Sequence, residues 1–163
     1  MRIAVVSDTH RFDRYINLAK DLIGDADILI HLGDNIEDVD TLSNGFNGVV
    51  YAVAGNCDFS TKYPKEGLIE VNGIKIFYTH GDIYGVKNSV TSIYYRGREL
   101  QADIVLFGHT HQHLIEKTQE LLLMNPGSIS LPHFKGRYVG IIDIDDDGNI
   151  DAYLRELKIL SKK

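Results

Sequence analysis

The stretch that decides the fold is Ile104-Val105-Leu106-Phe107-Gly108-His109-Thr110-His111. A short, unbroken apolar run suits a strand buried on both faces. It closes on glycine and two histidines. Working outward, four other apolar runs close in the same way. Ile3-Ala4-Val5-Val6 leads to Asp8-Thr9-His10, and Ile28-Leu29-Ile30-His31-Leu32 leads to Gly33-Asp34. Val49 through Ala54 leads to Gly55-Asn56, and Ile74 through Tyr78 leads to His80-Gly81. Strands are expected near 2–7, 28–32, 49–54, 67–71, 74–79, 104–107, 114–118, 121–125, 138–144 and 150–156. Helices are expected near 12–23, 36–44 and 89–101, with Gly24 ending the first and Ser89 capping the third. Asn72-Gly73 between two strand-like runs predicts a tight hairpin. Strand and helix alternate in the N-terminal part, and strands dominate the C-terminal part. The expected architecture is α/β: two mixed sheets packed together with helices outside, a four-layer sandwich. No repeat or linker divides residues 1–163, so one domain is expected.

The bulk composition fits that expectation. Hydrophobic residues make up 44% and charged residues 25%, as in ordinary globular chains. The only cysteine is Cys57, which rules out an internal disulfide and a cysteine-based zinc framework. Arg2 precedes only four apolar residues before Ser7 and Asp8, too few for a signal peptide or a membrane span. A cytoplasmic location and no membrane partner are expected. A net charge of −6 argues against a surface that coats nucleic acid. Local basic groups remain at Arg96, Arg98, Lys135 and Arg137, and the tail with Lys158, Lys162 and Lys163 reads as a solvated end.

Each motif has two readings. Asp8 and His10 would face the same way on an extended chain and could share one ion; alternatively, Ser7-Asp8-Thr9 caps the next helix. Asp34 could bridge two ions through its two oxygens, or sit in a plain Gly-Asp turn. Asn56 could offer a neutral amide oxygen, or be a turn residue. His109 and His111, two residues apart after a buried strand, could project into one cavity. Imidazole suits Mn, Fe, Ni, Co and Zn better than Ca or Mg. His31, inside an apolar run, reads as a supporting or core group. His113 reads as the start of the next strand, and His133 could line the site. Asn125-Pro126-Gly127-Ser128 reads as a turn after a strand, with Asn125 or Ser128 as alternative substrate contacts. Asp143-x-Asp145-x-Asp147-Gly148 opens like a calcium loop, but Leu154 stands where a bidentate Glu is required, so a polar hairpin turn is expected.

Taken together, Asp8-x-His10, Gly33-Asp34, Gly55-Asn56, His80 and Gly108-His109-x-His111 resemble the calcineurin-like metallophosphoesterase superfamily. The Asn56-Cys57-Asp58 run and Asn125-Pro126-Gly127-Ser128 resemble its small prokaryotic phosphodiesterase branch. The resemblance runs from residue 1 to about residue 145. It implies that Asp8, His10 and His111 bind one ion, that Asn56, His80 and His109 bind a second, and that Asp34 bridges them. The implied cofactors are two divalent transition-metal ions, Mn or Ni first, then Fe, Co or Zn.

The implied reaction is in-line attack of a metal-bridging hydroxide on a phosphodiester, with Asp8, Asp34, Asn56, His80 and His109 acting through the metals. The sequence departs from the family at Cys57, where many members carry a histidine that assists the leaving group. General-acid help is worth roughly 10²–10⁴-fold, so its loss favours good leaving groups and diesters. A small phosphodiester is the expected substrate; nucleic acid and homo-oligomerisation stay open. The rival readings are a noncatalytic, metal-binding interaction scaffold on this fold, as in the retromer subunit, and a phosphomonoesterase or protein phosphatase.

Overall fold

The computed structural model describes residues 1–59 and 62–158, so Lys162 and Lys163 lie outside the described residues. Ten strands follow along the chain: β1 (Arg2–Val6), β2 (Ile28–His31), β3 (Val49–Ala52), β4 (Glu66–Val71), β5 (Ile74–Thr79), β6 (Ile104–Leu106), β7 (His113–Lys117), β8 (Leu122–Pro126), β9 (Tyr138–Ile144) and β10 (Ile150–Glu156). Three α-helices interrupt them: α1 (Asp13–Ile23), α2 (Asp38–Leu42) and α3 (Thr91–Glu99). One five-stranded sheet has the order β10-β9-β1-β2-β3; the other has the order β4-β5-β6-β8-β7. Strands β1, β2 and β3 are mutually parallel, as are β5, β6 and β8, and antiparallel strands complete each sheet.

The apolar runs lack alternation because both faces of their strands are covered. In β1, Ile3 and Val5 face the opposite sheet, whereas Ala4 and Val6 pack with Ile16, Ala19 and Ile23 of α1. In β6, Ile104 and Leu106 join the central core, whereas Val105 packs with Ile93 of α3. The layers are therefore helix, sheet, sheet, helix.

Some element boundaries differ from the sequence reading. Helix α2 is shorter than 36–44. Asn35 is left-handed at φ 66°, and the Ile36 N–H is already bound to Asp58 Oδ1 at 2.9 Å, which delays the helix. Helix α1 ends at Gly24 as expected, but with φ −61° rather than in the left-handed conformation. Strand β8 reaches Pro126, so Asn125 and Pro126 are strand residues, and the turn starts at Gly127 (φ 76°).

The N-cap of α3 is Val90 rather than Ser89, although Ser89 Oγ accepts the Thr91 N–H at 3.1 Å. Both hairpin expectations hold. The β4–β5 hairpin pairs Val71 with Ile74 across Asn72 (φ 50°) and Gly73 (φ 77°), the two positive values that this turn requires. The Asp145–Asn149 segment is a hairpin turn between β9 and β10, in which Asp145 Oδ1 accepts the Asp147 and Asn149 N–H groups. Among the described residues, no helix is long and apolar enough to cross a membrane.

The packing of α3 on β6 yields a stability test. Gly97 is buried, and a Cβ there would overlap Val105 Cγ2 and lie 3.2 Å from Leu121 Cδ2. At an open helix site, Gly→Ala gains roughly 1 kcal/mol. Here Gly97→Ala is expected to lose about 1–3 kcal/mol by overpacking against a β-branched neighbour. Urea denaturation measures it, and a stabilised variant would show that α3 rides further from the sheet.

Candidate metal centre

The loops after β1, β2, β3, β5 and β6 gather where the carboxyl ends of the parallel strands of both sheets meet. Backbone bonds join them. Asp8 N–H donates to Gly33 O at 3.0 Å, and Gly108 N–H donates to His80 O at 3.0 Å. The loops approach closely enough to demand glycine. A Cβ on Gly33 would lie 2.6 Å from Gly55 N and 3.0 Å from His80 Nδ1. One on Gly108 would strike Ser7 Oγ and lie 2.8 Å from Asp8 Oδ2.

Asp8 and His10 do not lie on an extended chain. Their φ values are 54° and 48°, so consecutive left-handed turns, not strand alternation, aim them at a common point. The helix-cap alternative fails as well, because Phe12 occupies the N-cap of α1 and no side chain caps it. Asp34 (φ 60°), His109 (φ 67°) and His111 (φ 57°) are also left-handed. Each such residue costs of order 1–3 kcal/mol and persists only where its surroundings hold it.

Two clusters of ligand-type atoms result. Asp8, His10, Asp34 and His111 each place one such atom within 4.8 Å of the others; Asp34, His80 and His109 do the same. Asp34 belongs to both. In the first cluster, His10 Nε2 and His111 Nε2 are 3.2 Å apart, and His111 Nε2 is 3.1 Å from Asp8 Oδ1. In the second, His80 Nε2 lies 3.1 Å from His109 Nδ1, 3.1 Å from Asn56 Oδ1 and 3.3 Å from Asp34 Oδ1. Asn56 thus joins the second cluster.

The tautomers point inward. His80 Nδ1–H donates to Leu32 O at 2.7 Å, and His111 Nδ1–H donates to Leu131 O at 2.8 Å. Their Nε2 atoms are left facing the clusters, the arrangement that metal-ligating histidines adopt. Lone pairs crowd one another at these separations unless a cation lies between them. Ligands at about 2.0–2.1 Å from an ion and at right angles lie roughly 3 Å apart, which is the spacing seen. Asp8 supplies a further indication. It is fully buried, and its Oδ1 has no hydrogen-bond partner. The donor set therefore fits two divalent cations.

Electrostatics agree with that fit. Burial opposes ionisation of Asp8, but His111, His80 and Ser7 outweigh it and hold the carboxyl below its ordinary value. The Asp8 contact raises His111, whereas burial and then His80 lower His109. Cys57 lies on the rim beside Asn56; partial desolvation, then Asp34, pushes its thiol up to about 11.

A supporting shell fixes the loops, and much of it was not read from the sequence. Asp58 accepts the N–H groups of Asp34 (2.9 Å), Ile36 (2.9 Å) and Gly55 (2.8 Å), clamping two loops. Asn125 donates to Gly108 O at 2.9 Å and Thr110 Oγ1 at 3.0 Å; Ser128 donates to Asp8 O at 2.7 Å. Both are buried and tie the loops after β1 and β6. His31 is buried and pushed down to about 4 by that burial. It accepts Gly33 N–H at Nδ1 (3.2 Å) and bonds Thr9 Oγ1 through Nε2 (3.2 Å), and Thr9 donates to Asp38 at 2.6 Å. His113 opens β7, and His133 N–H holds His111 O at 2.9 Å.

Comparison with known proteins places this geometry in a family. The sequence profile of the calcineurin-like phosphoesterase superfamily domain matches residues 1–147. A probable metallophosphoesterase of Bacillus subtilis is 36% identical over 137 residues, covering 83% of this chain and 79% of the relative. A phosphodiesterase of Methanocaldococcus jannaschii is 29% identical over 145 residues, covering 78% and 83%. Among solved structures, a predicted phosphoesterase of Streptococcus pneumoniae superposes with a TM-score of 0.76 at 26% identity, covering 94% of this chain and 97% of that one. A Vps29 variant from Entamoeba histolytica shares the fold, with a TM-score of 0.78 at 18% identity and coverage of 97% and 100%.

The Asp58 clamp can be tested. Asp58→Ala removes the acceptor of three N–H groups. Stability should fall by about 1–3 kcal/mol, and metal uptake should weaken about 10–100-fold, as for other groups that orient ligands. Calorimetric metal titration reads the second effect. Unchanged uptake would show that the loops hold their geometry without the clamp.

Proposed function

This chain belongs to the calcineurin-like phosphoesterase superfamily, and we propose that it is a phosphodiesterase working with two divalent transition-metal ions. The observation that carries the reading is the presence of Asp34 in both clusters of ligand atoms. Asp8, His10 and His111 would hold the first ion, Asn56, His80 and His109 the second, and Asp34 both. A histidine-rich set favours Mn or Ni, with Fe, Co or Zn as substitutes. When bound, the two ions supply Lewis acidity at the phosphoryl oxygens and lower the pKa of the water that attacks phosphorus.

The chain's own residues do the rest. Leu32 O and Leu131 O hold the rings of His80 and His111 so that Nε2 faces the clusters. Asp58 and Asn125 keep the opposing loops in register. Catalysis by positioned charge needs such preorganisation, since donors that must reorganise lose their advantage. Cys57 stands beside Asn56 with its thiol pushed up to about 11, a weak acid for protonating a leaving alkoxide. A leaving group must then depart largely unaided. This favours esters of acidic alcohols or phenols. It also favours diesters, whose single negative charge demands less neutralisation than a monoester's.

The same features weigh against the rivals. A scaffold that binds no metal has no need of a complete donor set with an unpartnered buried carboxylate oxygen, and one that binds metal without turnover is separated by the hydrolysis assay below. A monoesterase or protein phosphatase would be handicapped by Cys57. A lone cysteine accords with a cytoplasmic location, where structural disulfides are rare.

The test is hydrolysis of bis(p-nitrophenyl) phosphate by metal-stripped protein reloaded with manganese. Asp34→Ala should lose more than about 100-fold, and Asn56→Ala about 10–100-fold, because only Asp34 would touch both ions. Equal, small effects would mean that these roles are misassigned.

Cys57 gives an independent check. Cys57→Ala should keep most of the diesterase activity, since an activated phenolate leaves without a proton. Cys57→His should raise activity on a monoester with an alkoxide leaving group, such as glycerol 2-phosphate, relative to the activated diester. A Cys57→Ala protein that holds full metal but is inactive would make the thiol a nucleophile and sink the water mechanism.

A further inference from the structure

We propose that the substrate is a phosphodiester with one anionic arm, carrying a second phosphate, and that this arm lies beside His109 and His111 against Lys87. The inference rests on the phosphodiesterase reading. A cavity of about 450 Å³ includes His109 and His111 of the two ligand clusters in its wall, together with Lys87, Thr110, Gln112 and His133. That volume suits a nucleoside-sized fragment. Among the described residues no carboxylate lines it, in a chain that has 23 acidic residues. Its polar wall consists of an ammonium, a hydroxyl, an amide and imidazoles, and Lys87 is its one fixed charge.

Lys87 is exposed, and among the described residues it makes no ion pair or hydrogen bond. It shares the cavity lining with His109 and His111, and Asp82, five residues earlier in the chain, is not part of that lining. An anion in this cavity would meet Lys87 without first displacing a resident carboxylate.

The cavity on the other side of the centre, of about 300 Å³, has the opposite character. Glu37 and Asp58 line it. Its one cation, Arg11, already faces Glu37 at 3.5 Å. Cys57 and the exposed Phe59 offer an uncharged surface there. A second phosphate would be repelled from this side, whereas a neutral or aromatic group would be accepted. A diester lying across the metals is therefore oriented, with its charged arm toward Lys87 and its uncharged leaving arm toward Cys57 and Phe59.

Two thymidine probes test the inference, differing only by a remote phosphate. The first measurement is equilibrium binding of thymidine 3′,5′-bisphosphate and thymidine 5′-phosphate to the manganese-loaded protein. The bisphosphate should bind about fivefold more tightly, the upper range for an exposed ion pair. Lys87→Gln should bring that ratio close to one, whereas Lys117→Gln, on the far strand β7, should retain it.

The second measurement is hydrolysis of thymidine 5′-(p-nitrophenyl phosphate) with and without a 3′-phosphate. Water adds to phosphorus, the P–O bond to p-nitrophenolate breaks, and the water proton passes to solvent. The 3′-phosphorylated ester should show a KM about fivefold lower, again only while Lys87 is present. Turnover of both esters with equal KM, or a preference that survives Lys87→Gln, overturns this inference and leaves the phosphodiesterase reading standing. Turnover of neither ester overturns that reading and this one with it.

Discussion

The structure depends on one constraint: a carboxylate, Asp8, is fully buried at the seam where two sheets meet. Burying a charge is costly unless it is paired and hydrogen-bonded. Its Oδ2 is well served, accepting the Ser7 hydroxyl at 2.5 Å and the His109 N–H at 3.2 Å. Its backbone is tied on both sides, to Gly33 O and to the Ser128 hydroxyl. Only Oδ1 is left without a hydrogen bond, facing His111 Nε2 at 3.1 Å. A group so thoroughly anchored, with one oxygen held open, is organised for a cation. Loops from both sheets bend around it: Gly108 lacks a side chain because Ser7 and Asp8 occupy that space.

This arrangement separates the stability of the fold from the demands of the site. The sheets are held by apolar burial on three successive interfaces, in which strands such as β1 and β6 contribute alternate residues to different cores. The loops at their ends carry the strain. Of nine non-glycine residues with positive φ among the described residues, seven lie on site loops: Asp8, His10, Arg11, Asp34, Asn35, His109 and His111. Such a concentration needs fixed partners. Asp58, Asn125, Ser128 and the His31–Thr9–Asp38 chain supply them through hydrogen bonds that are mostly buried. Strain held by rigid neighbours is what preorganised sites generally show.

The fold and the side chains that cluster beyond the strand ends were legible in the sequence because both rest on local signals. Unbroken apolar runs reveal strands covered on both faces, and Asn72-Gly73 fixes a turn by its own backbone preference. Asp, His and Asn at five strand ends are visible as a pattern. The aim of those side chains was not visible. Asp8 and His10 converge by left-handed turns that no two-residue spacing announces. The supporting shell was hidden for a related reason. Ser128 serves Asp8 across 120 residues and Asn125 serves Gly108 across 17, so each looks like a turn residue until the sheets are folded together. The start of α2 was obscured in the same way, by the bond from Ile36 N–H to Asp58.

Anomalous X-ray scattering from crystals grown with manganese tests the central claim most directly, because it locates ions independently of any reaction. The account predicts two peaks roughly 3.5–4 Å apart, the spacing of two-metal sites. One should lie among Asp8, His10 and His111, the other among Asn56, His80 and His109, with Asp34 between them. A single peak, peaks away from Asp34, or none at saturating metal would contradict it.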